Sequence, residues 1–199
     1  MVRGTVVGLC GIAMLAASGA ARAEQDRPLL LPTHDVAVTY ALDHQGPGAP
    51  KQAHVYYSAA ANKLRLENPG EKEIIIFDRA ARTTTMLMMR LHIYFQMPID
   101  PETELGFMLT PDMKFERAGS ETIAGHRCTD WTVQSSRITG TACITDDGVL
   151  LLGRGREGTA GGGVEAVAVS YAPQPAALFA PPPDFRKIDM AIAPEKPGR

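Results

Sequence analysis

A single, mostly antiparallel β-domain is what this sequence predicts, on three observations. Short segments alternate apolar and polar residues with a period of two. Clusters of Gly, Pro, Asn and Asp punctuate them at short intervals, as turns do. One stretch alone, after Pro98, carries the start signals of a helix of any length.

Ahead of this domain lies a segment of another kind. Met1-Val2-Arg3 is a short basic start, Val6–Ala17 is an apolar run, and Ala21-Arg22-Ala23 fits the small-residue cleavage rule. Residues 1–23 therefore read as a secretory signal peptide cut before Glu24. The competing reading is an uncleaved anchor, but the run is shorter than the roughly 20 residues a span needs. Cys10 lies inside the run and not at the cut, so lipid attachment there is not expected. Removing Arg3 and Arg22 leaves 18 basic against 22 acidic residues, a net charge of −4. That balance argues against nucleic acid, which needs a basic face. The expected compartment is the periplasm, with residues 24–190 as one domain, 191–199 as a disordered tail, and no transmembrane segment in the mature chain.

The elements follow in order. Glu24–Pro32 is an extended lead-in. His34–Leu42 is a half-buried strand with Val36, Val38, Tyr40 and Leu42 on one face. Gln45–Pro50 is a loop. Ala53–Ser58 and Lys63–Glu67 are strands joined by a turn at Ala59–Asn62, and Asn68-Pro69-Gly70 is the next turn. Ile74–Phe77, Met86–Met89 and Ile93–Phe95 are apolar on both faces of any strand, so both faces need cover, from the fold, a ligand or a partner. Asp78–Arg82 and the neighbourhood of Arg90 turn between them.

Asp100 suits an N-cap, Pro101 the first helical position, and Glu102 and Glu104 the positive end of the dipole. With Leu105, Met108 and Leu109 as a stripe, a short helix ends before Pro111. Lys114–Arg117 begins a strand. Thr122–Val133 and Ile138–Thr145 are then strands about a turn centred on Ser135-Ser136, which places Cys128 directly opposite Cys143. In an oxidising compartment these two cysteines form a disulfide, with a loop-closure contribution of roughly 3 kcal/mol. Redox catalysis is the alternative, without a C-x-x-C to support it. Asp146-Asp147-Gly148 turns into Val149–Leu152, Val164–Tyr171 is the last clear strand, and Pro175–Phe179 suits one helical turn.

The chemical motifs are mostly decoys. Gly153–Gly158 spells G-x-G-x-x-G, but a dinucleotide site needs a helix right after the glycines, and Thr159–Gly163 runs into a strand. A flexible hairpin loop is the reading that remains. Five histidines stand apart without metal-ligand spacing. Met86, Met88, Met89 and Met97 suit Cu(I), yet methionine is also the usual filler of apolar surfaces; no metal and no cofactor are expected. Nothing nominates a nucleophile or a general base, so no enzyme is expected.

Several segments together carry a resemblance: Lys63–Glu67, Ile75-Ile76-Phe77-Asp78, Tyr94–Pro98, Thr122–Cys128 running into Trp131, and Leu178–Pro182. The series resembles secreted bacterial proteins of unknown function grouped with the lipoprotein-carrier (LolA/LolB-like) superfamily, over about residues 34–188. The resemblance implies a curved antiparallel sheet, an incomplete barrel, with one or two short helices on the concave side. The chain departs from true carriers in lacking their long N-terminal helix, and its cysteine pair is not theirs. Two functions are then weighed. One is a soluble periplasmic protein that binds a hydrophobic ligand, a lipid or acyl chain, on the concave face, with Leu64, Leu66, Ile74, Ile76, Met86, Met88 and Trp131 as lining candidates. The other is a structural or interaction protein of the envelope with a closed core, in which the same residues are ordinary packing. An open apolar cavity favours the first.

Overall fold

The computed structural model describes residues 27–43, 51–70, 72–99 and 109–189. Their architecture is one open, curved, twelve-stranded sheet. The first meander comprises β1 (Val36–Asp43), β2 (Gln52–Ser58), β3 (Lys63–Glu67), β4 (Glu73–Asp78), β5 (Thr83–Met88) and β6 (Ile93–Pro98). The second comprises β7 (Lys114–Ile123), β8 (His126–Gln134), β9 (Ile138–Ile144), β10 (Leu150–Glu157) and β11 (Ala160–Ser170). Strand β11 pairs with β1 and joins the two meanders, so the order is β12-β6-β5-β4-β3-β2-β1-β11-β10-β9-β8-β7. Every pairing is antiparallel but one: the two-residue β12 (Arg186–Lys187) lies parallel to the outer edge of β6. No helix among the described residues is long and apolar enough to cross a membrane. The helix expected from Asp100 to before Pro111 falls outside the described residues except for Leu109 and Thr110, which are not helical, and the leader, the cleavage site and the tail lie outside them too.

The turns form where the small and polar residues placed them. Those at 59–62, 79–82 and 89–92 each end in a left-handed residue, Asn62, Arg82 and His92, with φ of 49°, 53° and 51°. Three sequence expectations are corrected. The segment Thr122–Val133 is not one strand: Ala124 (φ 48°) and Gly125 (φ 82°) make a tight two-residue turn from β7 into β8. The β8–β9 hairpin turns about Ser136-Arg137, because the Ser135 hydroxyl accepts from the amides of Arg137 (3.2 Å) and Ile138 (3.0 Å). Cys143 consequently faces Asp130, and Cys128 is its diagonal neighbour. The disulfide forms all the same, with Cα atoms 5.4 Å apart and both residues buried.

The third correction concerns the glycine run. Gly153–Glu157 is strand, not loop, and only Gly158-Thr159 turns. Gly140, Gly155 and Gly162 lie side by side across β9, β10 and β11. A Cβ on Gly140 would sit 2.1 Å from the Arg154 carbonyl oxygen, so at Gly140 the backbones of β9 and β10 pass where no side chain fits.

Alternation divides the apolar residues between two faces. Val38, Val55, Leu66, Ile75, Met86 and Phe95 are successive cross-strand partners and share one face. Ile74, Ile76 and Leu87 point to the other, where Phe179 of a single 3₁₀ turn (Ala176–Phe179) covers them. Arg65 fixes that turn by donating to the Leu178 carbonyl at 2.7 Å. The turn thus packs on the face opposite Leu64 and Leu66.

Asp35, just before β1, accepts from the amides of Gln174 (2.9 Å) and Ala59 (2.8 Å). These two bonds hold its carboxyl below the usual range. A lowered folded value contributes stability above the unfolded pKa of about 3.9, lost as pH falls through the folded value. Asp35→Asn is therefore expected to melt lower than wild type at neutral pH. The gap should close as melting temperatures are followed down through pH 4 and below, and a gap independent of pH would show that the charge plays no part.

Candidate functional site

The face carrying Leu64 and Leu66 does not pack shut. An apolar cavity of about 150 Å³ lies against β1, β2 and β3, floored by Val38, Tyr40, Ala53, Val55, Leu64 and Leu66. Ile144, Val149 and Leu150 close it from the second meander, and Leu29, Leu30 and Pro32 of the lead-in pass over it. The lead-in is tied down at three places. Arg27 donates to the Pro111 carbonyl at 3.0 Å, and its guanidinium lies 5.7 Å from the Phe115 ring centroid. Thr33 donates its amide to the Asp147 carbonyl at 2.9 Å. Gly148, with φ of 93°, lets the strap pass, since a Cβ there would lie 2.3 Å from the Leu31 carbonyl oxygen.

Among the described residues the side chains of the cavity wall are hydrocarbon apart from two phenols, and both are engaged. Tyr40 donates to the Leu150 carbonyl at 2.7 Å and Tyr57 to Asn62 Oδ1 at 3.3 Å. Burial pushes both phenols above their ordinary pKa, so they remain protonated donors. Among the described residues the wall offers dispersion contacts and no charged side chain.

The sequence candidates distribute unevenly over this geometry. Leu64 and Leu66 line the cavity. Met86 and Met88 share its face two strands away and are half-buried, outside the lining. Ile74 and Ile76 face the opposite side, beneath Phe179. Trp131 packs with Ile144 and Leu150, which line the cavity, but is not itself a lining residue. Sequence reasoning missed the lead-in leucines and the contribution of Ile144 and Val149. The alternation of His34–Leu42 marked the floor; no local pattern marks what covers it.

A second, polar cleft of about 640 Å³ lies near the β7–β8 and β9–β10 turns, with Arg117, His126, Arg127, Asp146, Asp147 and Tyr171 among its walls. Asp147 accepts there from Thr145 (2.5 Å) and Tyr171 (3.3 Å). Elsewhere Glu121 and Asp130 approach Cys143 Sγ. That sulfur belongs to the disulfide and offers no thiolate, which leaves two carboxylates.

Residues 51–150, which hold β2 to β9, match the family model described as a domain of unknown function, DUF4412. The chain belongs to the DUF4412 family. No curated protein matches it in sequence. Among solved structures, the DUF4412 chain is similar to an uncharacterised conserved protein from Thermus thermophilus. That match has a TM-score of 0.53 at 12% identity and covers 78% of this chain and 90% of the other. It is also similar to MucB in complex with MucA(peri), with a TM-score of 0.51 at 14% identity over 79% of this chain and 57% of MucB. MucB alone gives 0.51 at 12% identity, over 77% of this chain and 59% of MucB. The DUF4412 chain thus spans under two thirds of MucB's length, and the likeness at this identity is one of fold.

Proposed function

We propose that this DUF4412 chain is an exported, non-enzymatic binding protein of the LolA/LolB-like kind that holds a hydrophobic ligand, a lipid or acyl chain, against β1–β3. The cavity carries this reading. An apolar cavity of comparable volume stays dry and accepts a benzene-sized guest, so the occupant is the end of a chain and not a whole lipid. Export through the residue 1–23 leader to the periplasm belongs to the proposal, and a disulfide buried in the core supports it. Met86 and Met88 extend the apolar row outward from Leu66 and suit the adaptable continuation of such a surface.

Filling the cavity tests the reading. Val55→Phe is expected to weaken uptake of a fluorescent fatty-acid probe by about tenfold if only two methylene-sized contacts are displaced, with the melting temperature unchanged or raised. A protein in which Val55→Phe leaves uptake intact does not bind at this cavity. A second reading is favoured by one observation: MucB, of similar fold, is solved with a protein, MucA(peri). If wild-type protein takes up no apolar probe at all, the envelope-interaction reading replaces the carrier one.

A further inference from the structure

The polar cleft near the β7–β8 and β9–β10 turns shares no lining residue with the apolar cavity among the described residues. Its volume of about 640 Å³ falls within the range of ligand-binding clefts, roughly 300–1,000 Å³. Cys128 lines it and is bonded to Cys143 on the next strand, which fixes that part of the wall. Another part is an aromatic ring held in place. The Tyr171 hydroxyl donates to Asp147 Oδ1 at 3.3 Å, and the ring meets that of His126 with centroids 5.5 Å apart. Tyr171 still stays 39% exposed.

Around this ring the cleft offers hydrogen bonds of both kinds. Asp147 and Arg117 are already engaged: Asp147 accepts from Thr145 and Tyr171, and Arg117 donates to Thr129 Oγ1 at 3.5 Å and lies over the Trp131 ring. Arg127 and Asp146 are exposed. Arg127 reaches Ser120 Oγ at 3.4 Å, a contact that uses one of the several N–H donors of a guanidinium. Asp146 supplies acceptors alone. His126 aside, two guanidiniums face two carboxylates, so the wall has no net field to gather an ion of either sign.

We propose that this cleft binds a neutral saccharide, a sugar ring packing its C–H face on Tyr171 while adjacent hydroxyls donate to Asp146 and accept from Arg127. The proposal is independent of the carrier reading. A hydroxyl donates and accepts at once, so a neighbouring pair of them satisfies a carboxylate and a guanidinium together. The apolar side of the same ring matches the phenol, which is apolar in its body and polar at its tip. A carboxylate or phosphate ligand would gain from Arg127 and lose against Asp146 and Asp147, and an ammonium would meet the reverse. An aliphatic ligand would desolvate both charged side chains without pairing either.

Saturation-transfer NMR on the exported protein tests the assignment with maltose, cellobiose and N,N′-diacetylchitobiose, and with glucuronate and glucosamine as charged counterparts. At least one neutral disaccharide should receive transfer at its ring C–H protons, to the same extent at low and high salt, since no charge on the ligand is screened. Glucuronate and glucosamine should bind no better than glucose. Tyr171→Ala and Arg127→Ala should each weaken the bound disaccharide about tenfold, the usual loss when one good contact goes. Tyr171→Phe keeps the ring and should retain most of the affinity. Melting temperatures near that of wild type verify that the variants fold. Failure of all three disaccharides to bind, a preference for glucuronate that salt abolishes, or a bound sugar indifferent to either alanine substitution overturns the inference. None of these outcomes concerns uptake of an apolar probe, so the two readings stand or fall separately.

Discussion

Leu87→Ser is expected to destabilise the protein by about 4 kcal/mol, from the deleted methyl groups, the void they leave and a hydroxyl placed in apolar surroundings. Leu87 is wholly buried and packs with Ile74, Ile76 and Phe179. Its neighbour Met88 projects from the other face of β5 and is half-buried. Met88→Ser should therefore cost much less, on the scale of the ordinary substitutions that lie near 1 kcal/mol. Denaturant unfolding of the two variants and wild type measures the difference. The 3₁₀ turn provides an internal check, because Phe179→Ala opens the same cluster from above and should resemble Leu87→Ser. Equal costs for Leu87→Ser and Met88→Ser would mean that both faces are packed alike, and the asymmetry on which the cavity reading depends would disappear.

Removing the disulfide comes next in size. Cys128 and Cys143 are 15 residues apart, and the chain-entropy model assigns a loop of this length about 3 kcal/mol. Both residues are buried, Cys128 2% and Cys143 0% exposed, within the cluster that includes Val36, Val38 and Leu151. Cys128→Ala with Cys143→Ala should lower unfolding stability by that amount and render it insensitive to reductant. Wild type should fall to about the level of the double variant when reduced. Unchanged melting of the wild type under reductant would show that the bond contributes nothing, and two alkylatable thiols in the exported, unreduced protein would show that it is not made.

The disulfide also shows what the sequence could and could not convey. The inferred hairpin and the observed one differ by a slip of two residues. Such a slip preserves the alternation, so both cysteines stay on one face and remain within reach as diagonal neighbours. The bond was legible, whereas the register depended on whether Ser135 belongs to the strand or caps the turn with its hydroxyl. Alternation was equally decisive for the floor of the cavity, where Val36, Val38 and Tyr40 are separated by the small Ala37 and the polar Thr39, and Leu64 and Leu66 by Arg65. It was silent for Ile74-Ile75-Ile76-Phe77 and Met86–Met89, since a run apolar at every position states no preference for a face. The β3–β4 register sets Leu66 opposite Ile75 and turns Ile74 and Ile76 away, a fact fixed by the pairing and not by any property of those isoleucines. The strap of Leu29–Pro32 was hidden for another reason. Its partners at Pro111 and Asp147 are remote in sequence, and no periodicity announces a contact across that distance. That the buried indole nitrogen of Trp131 meets no acceptor among the described residues lay beyond sequence reasoning altogether, because satisfaction of a donor is a property of its surroundings.

The glycine row across β9, β10 and β11 bears on how a mutational screen of this family should be interpreted. Gly140 rejects any side chain because the Arg154 carbonyl occupies the place, not because it touches a ligand. In a saturation screen such a position ranks with the most intolerant in the chain, whereas Val55 or Leu64 accepts neighbouring hydrophobes and looks expendable. A ranking by intolerance alone would draw a binding site on bare backbone and overlook the cavity. Scoring uptake and abundance separately removes the confusion, since Gly140 variants lose both together and cavity variants lose only the first.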